Sequence, residues 1–268
     1  MARTIALKSW AAFERQLTRL AAERTEMKQV SSGSYIPRLL FRGHSNARWK
    51  LHTTLERHTS KVNTWREYLR LAALARHPIE SLTGKRWQSP FDDDVEGFCQ
   101  GKNPLRPPPA YSYLIYLRHH GFPSPLLDWS LSPYVAAYFA FAPAGRQRRA
   151  IYAFLSETGS GREGMRSKAE IDTFGDTVTS HARHVLQQCQ YSACYRFTDE
   201  ERVIADHEEV FARGHPQQDL LWKFTLPASE RIPALRKLDA YNLNAFSLFQ
   251  SDDSLLETMA LRSIDFAD

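Results

Sequence analysis

Short apolar segments and amphipathic segments follow one another along this chain without the regular strand–helix–strand repeat that builds a parallel sheet. Residues 1–30 carry apolar side chains at spacings of three and four, which predicts an N-terminal helix. Further helices are predicted at 64–76, 111–120, 132–142, 229–241 and 253–262, and strands at 39–41, 126–129, 151–155, 188–195 and 220–226. Strands and helices mixed in this way predict an α+β fold.

Local signals place several of these boundaries. Thr64 and Glu67 have the spacing of a capping box, and Ser132 followed by Pro133 is typical of the first residues of a helix. Residues 84–109 contain an Asp-Asp-Asp run and three consecutive prolines, which predicts a loop-rich insertion.

The composition is that of a folded protein. The chain has 268 residues, of which 43% are hydrophobic and 24% charged, and this excludes disordered and collagen-like classes. Lys and Arg (35) outnumber Asp and Glu (30), and the net charge of +5 permits nucleic-acid binding without requiring it. The longest apolar stretch, 134–142, is less than half of the roughly 20 residues that cross a membrane. With no apolar signal segment and only three cysteines, we expect a soluble, cytoplasmic protein.

Several common chemistries leave no trace in the sequence. There is no GxxxxGK[ST] phosphate loop, no nucleophile elbow, no HExxH motif and no paired CxxC motif. Cys189 and Cys194 have no accompanying histidine pattern, so the sequence does not support a metal site.

The most informative residues are polar groups inside apolar segments. Arg42 closes an apolar strand and is followed by Gly43, which suits a guanidinium presented into a cleft, where its planar fork matches a diphosphate. The alternative is a buried arginine that donates to loop carbonyls. Asp128 stands between Leu127 and Trp129, where a charge is costly unless it is paired, so its alternative role is to hold an arginine.

At these motifs the chain resembles the FRG domain family. The resemblance covers the Phe-Arg-Gly triplet at 41–43, the segment HGFPSPLLDWSLSPYVAAYFAF that begins at His120, the segment RHVLQQCQY that begins at Arg183, and the segment NAFSLFQSDDSLLETMALR that begins at Asn244. We therefore expect an N-terminal helix at 1–30 and an FRG domain at 31–268.

The same motifs in turn resemble those of ADP-ribosyltransferases, which implies a split β-sheet core with surrounding helices and NAD as co-substrate. In that superfamily an Arg or His followed by Gly opens the NAD site, as Arg42 and Gly43 do here. A second motif resembles Asp128 to Ser130 and the helix that follows. The resemblance implies cofactor binding by Arg42, Gly43, His120, Asp128, Ser130, Gln187 and Gln188.

The third motif of that superfamily is a strand that carries a catalytic Glu, and here the match departs. The corresponding segment reads Gln187-Gln188-Cys189. A carboxylate in that place stabilises the positive charge that develops as nicotinamide leaves, which a neutral amide does not do. Glu209, in a strand-like segment, and Glu257, in the final helix, are candidate substitutes. The predicted catalytic residues are Arg42, Asp128 and Glu209.

Two functions follow from these expectations. The first is an ADP-ribosyltransferase-like enzyme that modifies a macromolecule, either nucleic acid or protein, in a bacterial toxin or phage-defence role. A partner protein could regulate such an enzyme. The second is a non-catalytic module of the same fold that binds a nucleotide or nucleic acid. The missing Glu favours the binding module, and the clustered polar motifs favour the enzyme.

Overall fold

The computed structural model of the chain describes residues 3–30, 38–102, 107–157, 167–175, 178, 182–199, 201–214 and 218–267. Its strands are β1 (Arg3–Ala6), β2 (Leu39–His44), β3 (Leu126–Ser130), β4 (Arg149–Glu157), β5 (Glu170–Phe174), β6 (Cys189–Thr198), β7 (Glu201–Ile204) and β8 (Gln218–Leu226). Its α-helices are α1 (Trp10–Val30), α2 (Thr54–His58), α3 (Trp65–Thr83), α4 (Val95–Cys99), α5 (Tyr111–His119), α6 (Pro133–Phe141), α7 (Ala182–Leu186), α8 (His207–Arg213), α9 (Arg231–Ala240), α10 (Ala245–Phe249) and α11 (Asp252–Ala260).

The strands form one mixed sheet in the order β1-β8-β4-β2-β3-β6-β5, with β7 paired to β6. β1 is parallel to β8, and the other neighbours are antiparallel. The predicted α+β class is therefore confirmed. The joint between β2 and β3 is short, because their register contains the single pair Phe41–Ser130, whereas β2 pairs with β4 along Leu39–His44.

Successive side chains along a strand point to opposite faces of the sheet, and apolar clusters cover both faces. Ile151 of β4 packs with α1, α6 and α9, whereas its neighbour Tyr152 packs in a second apolar cluster with Phe211 of α8. A third cluster joins α3 and α5 to β6. No helix within the described ranges is both long and apolar enough to cross a membrane.

The N-terminus contains a strand that the sequence did not reveal. A helix was expected from residue 1, but β1 precedes α1 and pairs with β8, more than 200 residues away. β1 is an edge strand with mostly exposed side chains, so it lacks the apolar alternation by which a strand is recognised. The predicted helix itself is confirmed from Trp10 onward, and Phe13 packs against Phe224 in the core of the sheet.

Most other predicted elements are confirmed with small shifts. Thr64 and Glu67 form the expected capping box, and Ser132 accepts the backbone N–H of Val135. α3 continues past the predicted end at 76, through Pro78, to a left-handed residue at Gly84. The predicted strands at 151–155, 188–195 and 220–226 lie in β4, β6 and β8, and the two closing helices are α9 and α11. Within the stretch 84–109, the described residues form a 3₁₀ turn at Pro90–Asp92 and α4.

Helix α6 crosses β2 so closely that Gly43 has no room for a side chain. A methyl group at Gly43 would overlap the carbonyl oxygen of Ala136 and lie 2.7 Å from the backbone nitrogen of Ala140. Both obstacles are backbone atoms of α6, which cannot move aside without displacing the helix. Gly43 therefore sets the distance between β2 and α6.

We expect Gly43→Ala to lower the free energy of unfolding by about 3 kcal/mol, since overpacking a tight contact costs this much when backbone must shift. Urea unfolding followed by circular dichroism measures the loss. Gly84→Asn is the control, because no atom lies within 4 Å of the position that a Cβ would take at Gly84 and Asn tolerates the left-handed conformation. Equal losses in the two variants would contradict the close packing of β2 on α6.

Candidate functional site

A cavity of about 720 Å³ opens where β2 and β3 meet, beside α6. The pairing of Phe41 with Ser130 brings the Phe-Arg-Gly triplet of β2 next to the Asp-Trp-Ser segment of β3. Polar side chains from these two strands, from the segment that follows β2 and from the turn that follows residue 186 line the cavity. They are Arg42, His44, Asp128, Ser130, Gln187, Ser45, Arg48, Lys50, His52 and Arg57.

The guanidinium of Arg42 is held in one orientation. Its Nη1 donates to the carbonyl oxygen of Asp128 at 2.6 Å and to the carboxylate Oδ1 at 3.0 Å, and its Nε donates to Nε2 of His44 at 3.0 Å. The side chain is 13% exposed, and burial lowers the pKa of Arg42 to about 10. Its Nη2 makes no hydrogen bond to any residue that the structure describes, so a donor remains for a bound group.

Asp128 pairs with a second arginine that sequence reasoning missed. Nη2 of Arg118, at the end of α5, donates to the same Oδ1, and Nη1 of Arg118 donates to Oγ1 of Thr54 at 2.9 Å. Arg118 is 8% exposed, and its pKa falls to about 9, first because of burial and then because of Arg42 and Arg57. Two desolvated guanidiniums therefore share one carboxylate. A basic residue in the last turn of an otherwise apolar helix is the signal that could have revealed Arg118.

The cavity wall carries an excess of positive charge. Arg42, Arg48, Lys50 and Arg57 contribute four permanent cations, and Asp128 is the one carboxylate among the lining residues. Partial burial and then the charge of Arg42 lower the pKa of Arg57, although its side chain remains exposed at the surface. A concave surface with this balance attracts anions and focuses their field.

His44 is kept neutral so that it can accept from Arg42. Burial lowers its pKa far below the usual value, and the charges of Arg42 and Arg57 lower it further. Since Nε2 accepts the Arg42 Nε–H, the proton of the neutral ring is on Nδ1. The His44 ring also lies edge to face with Tyr152, with centroids 5.2 Å apart. His44 thus positions Arg42 without adding charge to the cavity.

A second buried histidine lies behind β3. The indole N–H of Trp129 donates to Oγ of Ser192 at 2.8 Å, and this hydroxyl lies 2.9 Å from Nε2 of His207. His207 is completely buried, and its pKa is lowered to about 3 by desolvation and then by Arg42. The chain of hydrogen bonds fixes Trp129 next to Asp128 and Ser130.

The structure brings together five of the predicted site residues. Arg42, Gly43, Asp128, Ser130 and Gln187 all line the cavity. The polar groups of Ser130 and Gln187 form hydrogen bonds within the protein. The Ser130 hydroxyl donates to the backbone carbonyl oxygen of Gln187 at 2.7 Å, and Nε2 of Gln187 donates to the carbonyl oxygen of Leu248 at 3.1 Å. Gly43 is required by the packing of α6 as well as by the cavity.

The other predicted residues lie elsewhere. His120 follows α5 and lines an apolar groove with Pro78 and Phe122, and Gln188 is exposed in a left-handed turn at φ 49°. The strand expected around Glu209 is wrong, because Asp206 caps a helix there and places Glu209 on α8. Glu209 forms an exposed ion pair with Arg196 at 3.1 Å and does not line the cavity.

Glu257, the other candidate carboxylate, lies on the exposed side of α11, 3.4 Å from the hydroxyl of Tyr138. It does not line the cavity. Within the described ranges, no group of three or more His, Cys, Asp or Glu side chains is arranged to hold a metal ion.

Removing the shared carboxylate leaves Arg42 and Arg118 without a counter-charge. We expect Asp128→Asn to lower the free energy of unfolding by about 2 kcal/mol, less than for a fully buried pair because Asp128 is 40% exposed. Glu209→Gln is the matched control, since the exposed pair with Arg196 contributes less than about 1 kcal/mol. Urea unfolding compares the variants, and a larger loss in the control would contradict the role of Asp128.

Acid should destabilise the protein through His207. In the unfolded chain its pKa returns to the usual value near 6.5, whereas in the folded protein it is about 3. Between these values only the unfolded state binds the proton, so the stabilisation present above pH 6.5 is lost as the pH falls. At pH 5 the loss from one such group is about 2 kcal/mol.

The His207→Gln variant removes this proton linkage and retains a hydrogen-bond acceptor. We expect it to lose about 2 kcal/mol less stability than the parent between pH 7 and pH 5. Urea unfolding at each pH measures the difference. Parallel pH profiles for the two proteins would show that His207 takes up a proton in the folded state.

Comparison with known proteins agrees with the sequence motifs. Residues 37–149 match the family model described as the FRG domain. No curated protein and no solved structure matches the chain. The matched segment contains Arg42, Asp128 and Ser130, whereas Gln187 and Glu209 lie beyond it. The recognition from sequence is thereby confirmed: this chain contains an FRG domain, matched over residues 37–149.

Proposed function

We propose that the FRG domain binds a nucleotide with a diphosphate group, such as NAD, in the cavity between β2 and β3. The observation that carries this proposal is the charge of the wall, where four permanent cations face a single carboxylate. That carboxylate, on Asp128, is already paired with Arg42 and Arg118. An anionic ligand would supply the missing negative charge.

Arg42 is suited to a diphosphate because it is oriented in advance. His44 and Asp128 hold its Nε and Nη1, and Nη2 is left to donate. A guanidinium fixed in this way loses little conformational freedom on binding, and its hydrogen bonds to phosphate are charge-assisted. Arg48, Lys50 and Arg57 surround it with further charge.

The size of the cavity is consistent with a nucleotide. Sites for cofactors have volumes of about 300–1,000 Å³, and 720 Å³ lies within this range. The wall also offers apolar surface from Phe41, Trp129 and Phe139 for the less polar parts of a ligand.

The resemblance to ADP-ribosyltransferases supports NAD as the nucleotide. The single register pair between β2 and β3 is consistent with the split sheet that the resemblance implies, and the cavity lies at that joint. An ADP-ribosyltransferase-like fold is therefore part of the proposal.

ADP-ribosyl transfer to a macromolecule is the second candidate function. Its support is Asp128, a 40% exposed carboxylate inside the cavity. Against it, loss of nicotinamide develops positive charge on the ribose, and the charge of Asp128 is largely neutralised by two guanidiniums. Glu209 and Glu257 lie outside the cavity. Binding is thus better supported than transfer; a toxin or phage-defence role, and the choice of nucleic acid or protein as acceptor, belong to the second candidate.

Calorimetric titration with NAD tests the proposal. We expect binding that weakens as salt is raised, because the attraction is between charges near solvent. Lys50→Ala and Arg57→Ala remove exposed cations from the wall and should each weaken binding by about tenfold, the effect of one charge-assisted contact. Arg196→Ala is the control, since it makes the same change of net charge outside the cavity.

The outcomes separate binding from transfer. No binding of NAD or of ADP to the folded protein would overturn the proposal, as would equal weakening by Arg196→Ala. Release of nicotinamide, followed by chromatography and abolished in a folded Asp128→Asn variant, would support the transferase. Binding without release would leave the non-catalytic module.

A further inference from the structure

An exposed tryptophan stands in the wall of the cavity. Trp49 is 54% exposed, although tryptophan is highly buried on average in folded proteins. It lies between Arg48 and Lys50, which also line the cavity. A large aromatic face left open beside cations is the combination that proteins use to hold nucleobases and their phosphates together.

The backbone that carries Trp49 is firmly anchored. The Trp49 N–H donates to the carbonyl oxygen of Asn46 at 3.1 Å, and its own carbonyl accepts the hydroxyl of Tyr152 at 3.2 Å. Just before it, Ala47 donates to the carbonyl oxygen of Arg148 at 2.7 Å. Just after it, Leu51 is completely buried, and its N–H donates to the Glu208 carboxylate at 2.9 Å.

The indole ring is supported on one side by the Arg42 network. The His44 ring lies 6.2 Å away and is inclined by 64° to the indole plane. The same His44 accepts from Arg42, so the aromatic face and the guanidinium are held by one residue. One ligand could therefore place its base on Trp49 and its phosphate at Arg42.

Resting on the proposed function, we propose that Trp49 is the stacking platform for the nucleobase of the bound ligand. The base lies on the exposed indole face, and the phosphates extend toward Arg42 between Arg48 and Lys50. The nucleobase can belong to a free nucleotide or to a single strand of nucleic acid, because both present the same flat face next to phosphate. Stacking of this kind accepts any base and gives little sequence preference.

The test compares two ligands that both contain a diphosphate, of which only ADP carries a base. Calorimetric titrations with ADP and with inorganic pyrophosphate are run on the parent, on Trp49→Leu and on Trp49→Phe. We expect Trp49→Leu to weaken ADP binding by about tenfold and to leave pyrophosphate binding unchanged. Trp49→Phe keeps an aromatic face and should restore most of the ADP affinity.

Phe91→Leu is the control, since Phe91 is a half-exposed aromatic residue that does not line the cavity. It should change neither affinity. Circular dichroism of each variant shows whether the fold is kept, and the pyrophosphate titration shows whether the cations are still in place.

Each failure has its own signature. If ADP binding is unchanged in Trp49→Leu while both ligands bind the parent, the stacking role is overturned and the anion site stands. If both ligands are weakened equally, Trp49 only supports the wall, which also overturns the stacking role. If neither ligand binds the parent, the proposed function fails and the stacking role fails with it.

A short single-stranded oligothymidylate distinguishes the two sources of the base. Binding of the strand that is tighter than that of ADP and is weakened by Trp49→Leu assigns the platform to nucleic acid. Binding of ADP with no binding of the strand assigns it to a free nucleotide. In either case the loss on Trp49→Leu is the result that supports stacking.

Discussion

The carboxylate of Asp128 is the interaction on which the site depends, because it accepts from two buried guanidiniums that come from different elements. Arg42 lies on β2, Arg118 ends α5, and Asp128 lies on β3. β2 and β3 share a single register pair, so their ladder alone gives little support to the joint. The charge pairs connect three elements just where the backbone pairing is weakest. Such pairs add little net stability, yet breaking them is costly, and they therefore favour one arrangement over others.

The same cluster supports the proposal that the cavity binds an anion. Burial lowers the pKa of Arg42 to about 10, and burial followed by the charges of Arg42 and Arg57 lowers the pKa of Arg118 to about 9. His44 completes the coordination of Arg42 as a neutral acceptor, so no further negative charge is supplied from that side. The surplus of positive charge lines the cavity, and three of its cations, Arg48, Lys50 and Arg57, are also exposed to solvent. A local surplus of this kind supports the proposed anion site, whereas the net charge of +5 alone says little about a ligand.

The parts of the fold that could be predicted from the sequence are those determined by interactions between residues close together in the chain. Caps at Thr64 and Ser132 and the apolar alternation of β4 depend on neighbours in sequence, so they could be recognised. Asp128 could be recognised because a charge in an apolar strand needs a partner, but the identity of that partner could not. Arg118 lies where basic residues are common, at the end of a helix.

The failures have the same origin. β1 is stabilised by pairing with β8 at the far end of the chain, and its own side chains are mostly exposed. Glu209 was assigned to a strand from its apolar neighbours, but Asp206 starts a helix that turns the same residues into an amphipathic face. Where a residue's role depends on a distant partner, a single sequence shows the residue but does not show which residue it contacts.

A diphosphate ligand would also change what Asp128 can do. Its charge is shared between Arg42 and Arg118, which is unfavourable for stabilising a cation on a ribose. A phosphate bound by the remaining donor of Arg42 would offset part of the positive charge of this guanidinium, so that Asp128 would be less fully neutralised. Under the proposed function, nucleotide binding and transfer would therefore be coupled in this cavity. In that proposal, phosphates bound by the cations would leave Asp128, the one carboxylate among the residues that line the cavity, less neutralised for transfer.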